Sequence, residues 1–210
     1  MNFIYFLFKR DFLLSFLRCF FMTIKICTFY SLLSLLPKSR RYQLIFSCFV
    51  IFLYWMSSIN SLSLLITFSM LTFYLLTLSI FDADYFLLPN DLTFWLLFLG
   101  LSINYTTYGL VLFHHAFYGF LMGTGLFYGI YLWGYFIYQE CVLGFGDVKL
   151  FGAIGAWCGF EKLPYILLGA SLLGLCVYCI VLITTKEYLN KVAFGSCLSF
   201  STLMVLSFYF

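Results

Sequence analysis

The residues of this chain best suited to chemistry are two isolated groups of carboxylates. One is Asp147, which ends Gly144-Phe145-Gly146-Asp147 and is followed by Val148-Lys149-Leu150. The other is Phe81-Asp82-Ala83-Asp84. Apolar runs flank both. A carboxylate in or beside a bilayer is costly and marks a functional site by default. Two carboxylates that approach closely cannot both ionise easily, so they share a proton. One then serves as general base on a water and the other as general acid, which is aspartic peptidase chemistry. The expected pair is Asp82 and Asp147. Gly144 and Gly146 would permit a tight backbone turn and leave room for an extended substrate strand. The plainer alternative is that each aspartate caps a helix, with Asp147 capping one that starts at Val148.

The elements that must position these groups are membrane helices. The 210 residues are 64% hydrophobic and 9% charged, far below the roughly 25% charged of a soluble domain. A net charge of +3 without a basic stripe gives no ground for nucleic-acid binding. The eight cysteines mostly fall within apolar runs, where they pack as small hydrophobes rather than as a disulfide framework. Met1 to Phe8 is too short to span and no small-residue cleavage site follows, so a cleaved signal peptide is not expected.

Phe12 to Leu36 is long enough to cross but carries Arg18 and Lys25 on one helical face. It reads equally as an interfacial helix with snorkelling cations or as a packed span. Pro37-Lys38-Ser39-Arg40-Arg41 is the densest basic cluster and is expected to be cytoplasmic. Spans are then expected at Tyr42–Ile59, Leu62–Ile80, Leu92–Ile103, Leu110–Tyr138, Val148–Phe160, Leu163–Thr185 and Val192–Phe210. Asn60-Ser61, Asn104 to Gly109 and Glu161-Lys162 are the turns on the far side. Gly119 with Gly123, and Gly125 with Gly129, have the spacing that lets helix backbones approach closely. This tracing puts the loops Asp82–Asp91, Gln139–Asp147 and Lys186–Lys191 on the cytoplasmic side with Arg40 and Arg41. The expected fold is all-α and polytopic, with seven to eight transmembrane helices. No internal repeat or linker divides it.

Asp82-Ala83-Asp84-Tyr85-Phe86-Leu87-Leu88-Pro89-Asn90-Asp91-Leu92-Thr93, followed by Gly144-Phe145-Gly146-Asp147-Val148-Lys149-Leu150, resembles the type IV prepilin peptidases. These are Gly-x-Gly-Asp membrane aspartic proteases of bacteria. Gly152-Ala153-Ile154-Gly155-Ala156-Trp157-Cys158-Gly159 and Ala193-Phe194-Gly195 are similar to the family as well, and the likeness runs from Ser39 to Phe210. In that family the first catalytic aspartate lies seven residues before the motif proline. Counted from Pro89, the resemblance gives the role to Asp82 rather than Asp84, and the second role to Asp147. Gly144, Gly146, Pro89, Lys149 and Asp84 are then supporting residues, Lys149 by tuning charge or facing lipid phosphates. Asn90 stands where many bacterial members have aspartate, a departure that archaeal relatives share. Glu140 is one residue further from Asp147 than the family's usual glutamate and takes no role.

The resemblance implies a leader peptidase of the bacterial inner membrane. It would cut the basic leader from type IV prepilin or pseudopilin precursors, with the lipid bilayer as its other partner and no cofactor or metal. Residues 42–210 would form the peptidase domain. Residues 1–41 would be a remnant of the family's methyltransferase region, whose two Cys-x-x-Cys pairs find no counterpart between Leu36 and Tyr42. Cleavage without N-methylation is therefore expected. Two other readings stay open: an inactive scaffold of pilus or secretion machinery, and a Gly-x-Gly-Asp protease that cuts transmembrane helices. Cys176-Val177-Tyr178-Cys179 lies in an apolar span and reads as core packing, since zinc needs four ligands. His114-His115 reads as a solvated helix start more readily than as a metal site.

Overall fold

Long apolar runs separated by a few polar or glycine residues give helices, and α-helix is the only regular structure among the described residues. A computed structural model describes residues 51, 62–106, 109–139, 143–185 and 192–209, all in the unit Phe46–Phe210. The first apolar run, the basic cluster at Lys38–Arg41, the Tyr42–Ile59 span and the Lys186–Lys191 loop fall outside the described residues.

Six helices follow in order: α1 Leu62–Tyr85, α2 Asn90–Tyr105, α3 Phe113–Tyr138, α4 Phe145–Cys158, α5 Leu163–Thr185 and α6 Phe194–Tyr209. Three, α1, α3 and α5, are long and apolar enough to cross a bilayer. The chain is an integral membrane protein. The expected spans Leu92–Ile103 and Val148–Phe160 instead become helices of 16 and 14 residues. At 1.5 Å per residue neither matches a core about 30 Å thick.

Burial sorts the helices. The apolar window of α1 is 72% buried, against 17% for α3 and 11% for α5. The inner helix also carries hydroxyls. Thr67, Ser69, Thr72 and Thr77 each donate to a carbonyl of the preceding turn at 2.7 Å, so none is left unpaired in an apolar interior. α5 turns Leu168, Leu172, Leu175, Ile180 and Ile183 outward, as a lipid-facing helix does. Cys176 and Cys179 lie on that exposed surface too, so the core packing expected of them is not what α5 uses.

The short α4 lies in the middle. Val148 and every residue from Leu150 to Cys158 are buried, chiefly against α3 and α2. α6 packs on α1 and α5. Glycine makes the α3–α4 contact possible. A Cβ on Gly119 would overlap the Gly155 carbonyl oxygen, and one on Gly123 would sit 2.9 Å from the Phe151 carbonyl oxygen. Gly125 and Gly129 have the same spacing but nothing within 4 Å, so only the first pair makes the expected close approach.

The far end of the bundle is tied by side chains. Asn104, expected in a surface loop, is buried in the last turn of α2. Its Nδ2 donates to the carbonyls of Ala156 at 2.7 Å and Trp157 at 3.3 Å, and its Oδ1 accepts from the Val111 amide. The Trp157 indole donates to the Leu96 carbonyl at 2.7 Å and fills the space left by Gly100. Asn104 was misplaced because a polar residue next to Tyr105-Thr106-Thr107 looks like a loop, whereas here it satisfies the open carbonyls at the end of α4.

Gly119→Ala should lower stability in detergent by about 1–3 kcal/mol, the usual cost of overpacking, because the added methyl meets backbone. Gly125→Ala should be neutral or slightly stabilising. Thermal unfolding of the two purified variants checks the pair, and equal loss in both would contradict the packing described.

Candidate functional site

Helix α1 runs past the expected end at Ile80 and carries Asp82 in its last turns. α4 begins at Phe145, so Asp147 lies in its first turn, two residues in from the helix start. Gly144 is the N-cap residue, and no side chain caps the helix. Asp147 is therefore not the cap of a helix starting at Val148. Its amide instead bonds the Gly144 carbonyl at 3.0 Å.

The C-terminal end of α1 and the N-terminal ends of α4 and α6 meet, and both carboxylates face Gly195 of α6. A Cβ on Gly195 would lie 3.0 Å from Asp82 Oδ2 and 3.1 Å from Asp147 Oδ1. The two oxygens are thus no further apart than the sum of those distances, and both border the side-chain space that Gly195 leaves empty. Any side chain at 195 would fill the space that the carboxylates share.

Asp82 is buried, whereas Asp147 is half-buried. Ser196 fixes the orientation of Asp82. Its amide donates to Asp82 Oδ2 at 2.7 Å, and its hydroxyl lies 3.3 Å from the same oxygen. The hydroxyl also donates to the Ser79 carbonyl at 2.8 Å. The amide belongs to the first turn of α6, where N–H groups lack an intrahelical partner and the helix dipole favours an anion. Ser196 went unnoticed in the sequence. The only signal available was its place directly after the Gly195 of Ala193-Phe194-Gly195.

The glycines of the Asp147 motif act differently from expectation. Gly144 has φ −67°, and Gly146 lies inside α4, so neither needs a left-handed conformation. Asp147 Oδ2 lies 3.1 Å from where a Cβ of Gly144 would be, and Leu88 fills the corresponding space at Gly146 at 3.0 Å. Gly146 thus seats Leu88 rather than leaving room for a strand. Pro89, the N-cap residue of α2, follows at φ −60°. The intervening turn places Phe86 in the left-handed region at φ 52°.

Of the other expected residues, Asp84 is two positions beyond Asp82 and so roughly 200° around the helix. It does not share the Gly195 space. Lys149 is likewise two positions beyond Asp147. Its Nζ bonds Asn90 Oδ1 at 2.8 Å and lies 4.7 Å above the Phe145 ring, joining α4 to α2 rather than touching the carboxylates. His115 is in α3 near its start, where Nδ1 lies 3.3 Å from Glu161 and the ring stacks on Phe160. Among the described residues no three His, Cys, Asp or Glu side chains gather into a metal-binding group.

Two carboxylates at a shared gap, one tied to amide and hydroxyl donors and one without such donors among the described residues, can activate a water between them. Residues 69–179 match the model of the type IV leader peptidase family. The chain is 40% identical to a "Prepilin leader peptidase/N-methyltransferase" of Escherichia coli K12, over 64% of this chain and 60% of that protein. A protein of the same description from Legionella pneumophila is 31% identical over 81% of this chain and 60% of its own length. A "Type 4 prepilin-like proteins leader peptide-processing enzyme" of Escherichia coli O78:H11 is 33% identical over 61% of this chain and 46% of its own. The chain thus spans about three-fifths or less of each of these relatives. No solved structure matches it. A family model that covers more than half of the chain, and takes in both Asp82 and Asp147, shows that the chain belongs to the type IV leader peptidase family.

Proposed function

We propose that this chain is an aspartic endopeptidase that removes the basic leader of type IV prepilins or pseudopilins. The observation that carries this reading is the meeting of Asp82 and Asp147 at Gly195. Asp82, with the Ser196 donors on one oxygen, suits the ionised partner, which takes a proton from water. Asp147 suits the protonated partner, which donates to the scissile carbonyl oxygen. The hydroxide equivalent adds to the carbonyl carbon. Collapse breaks the C–N bond, and a proton passes to the leaving amine. Family membership and the relatives' names support the substrate class.

The finer expectations belong to the same proposal. The protein is a multi-pass protein of the bacterial inner membrane, with residues 42–210 as the peptidase domain and seven to eight helices within the membrane, of which the short α2 and α4 do not cross it alone. The loops at Asp82–Asp91 and Gln139–Asp147 face the cytoplasm. A leader that stays on the cytoplasmic side would then reach the carboxylates while the apolar helix of its precursor remains in the bilayer.

Asp82→Asn and Asp147→Asn should each lower leader cleavage of a co-expressed prepilin by at least ~10²-fold, the low end for a positioned acid or base. Full cleavage by either variant would remove the dyad, and loss in Asp84→Asn alone would move the role to Asp84. Ser196→Pro removes the amide donor at a first-turn position that tolerates proline, whereas Ser196→Ala keeps it. Activity should fall further in Ser196→Pro, by an amount matching the ~1.5–3 kcal/mol of a hydrogen bond to a charged group. Single-turnover cleavage by the two variants makes the comparison. In a background without native cysteines, an impermeant thiol reagent added outside intact cells should label Glu161→Cys and not Leu87→Cys. The opposite pattern would invert the tracing.

A further inference from the structure

On the face of α4 away from the carboxylates is a cavity of about 480 Å³, bounded by α2, α3 and α4. Its volume falls within the roughly 300–1,000 Å³ of small-molecule sites. The wall is apolar, formed by Phe94 and Leu97 of α2 and Phe120 of α3. The exposure of Phe94 opens it toward the lipid-facing side. One end is polar and bears both signs of charge: Lys149 from α4 and Asp91 from the first turn of α2. Lys149 holds only the neutral Asn90 side-chain oxygen and the Phe145 ring, and among the described residues neither Lys149 nor Asp91 is in an ion pair.

We propose that this cavity binds a zwitterionic aminophospholipid, with the phosphate on Lys149, the primary ammonium on Asp91 and part of an acyl chain along Phe94, Leu97 and Phe120. Charge complementarity selects the occupant. A purely anionic headgroup would meet the Asp91 carboxylate, and a cationic one would meet Lys149, whereas a zwitterionic headgroup satisfies both, and only one with a primary ammonium can also donate a hydrogen bond to Asp91. The apolar wall begins beside that polar end and follows α2 from Phe94 to Leu97, as a chain entering from a headgroup requires. A peptide substrate is disfavoured by position. Lys149 and Asp147 are two residues apart on α4 and so roughly 200° around its axis, and Asp147 faces α6 instead.

Native mass spectrometry of the full-length protein, released from detergent with acyl-matched phosphatidylethanolamine, phosphatidylglycerol and phosphatidylcholine, tests the proposal. One phosphatidylethanolamine should be retained at least several-fold more often than either competitor. Asp91→Asn, an exposed substitution, should abolish the preference over phosphatidylglycerol. Lys149→Met should release all three lipids, and Leu97→Trp, which fills the wall, should do the same. Circular dichroism and a single elution peak establish that each variant is folded; should Leu97→Trp fail there, Asp91→Asn and Lys149→Met decide alone. Equal retention of the three lipids, preference for phosphatidylglycerol, or an unchanged preference in Asp91→Asn would overturn the assignment.

Discussion

The structure depends on keeping two carboxylates together in a protein whose interior is mostly apolar and whose other buried side chains, among the described residues, are uncharged apart from Lys162. A buried carboxylate without donors is costly, and helices use up their own amides except at their N-termini. The arrangement follows from that limit. The end of α1 brings Asp82 to the start of α6, where Ser196 still has an amide to give. The start of α4 holds Asp147 in its first turn. Gly195 lets the two sides close to contact. Three helix ends have to coincide, and much of the remaining packing keeps them there.

The brevity of α4 is part of the same solution. A helix of 14 residues cannot cross the hydrocarbon alone, so it lies among α3, α2 and α6 with nearly all of its side chains buried. Gly119 and Gly155 bring α3 and α4 to backbone contact, which leaves α4 little freedom to roll. Rolling α4 would carry Asp147 away from Gly195. Among the described residues the lipid-facing helices α3 and α5 supply most of the exposed apolar surface.

How much of this was legible in the sequence varied with the physical signal. The start of α5 at Leu163 was legible because a continuous apolar run follows a Glu-Lys turn. Asp82 and Asp147 stood out because charge is rare in an apolar chain, and their shared end followed from counting spans. Ser196 did not stand out, since its role is carried by a backbone amide, which every residue except proline has. Asn104 was lost to the general rule that polar clusters are loops. Gly119 and Gly125 carry the same pattern, yet only one meets a neighbour, and spacing within a helix says nothing of what lies opposite. Gly146 was read as empty space because Leu88 comes from a distant part of the chain.

At the end opposite the carboxylates, Asn104 and Trp157 bind α2 to α4 through three hydrogen bonds to main-chain oxygens. Among the described residues nothing comparable in number joins the two helices at the other end, where Lys149 and Asn90 make one bond between side chains. The pair is therefore tied more heavily at the back than at the tips. A tilt of α4 about that tied end would change the reach of Asp147 and leave the Trp157 end in place.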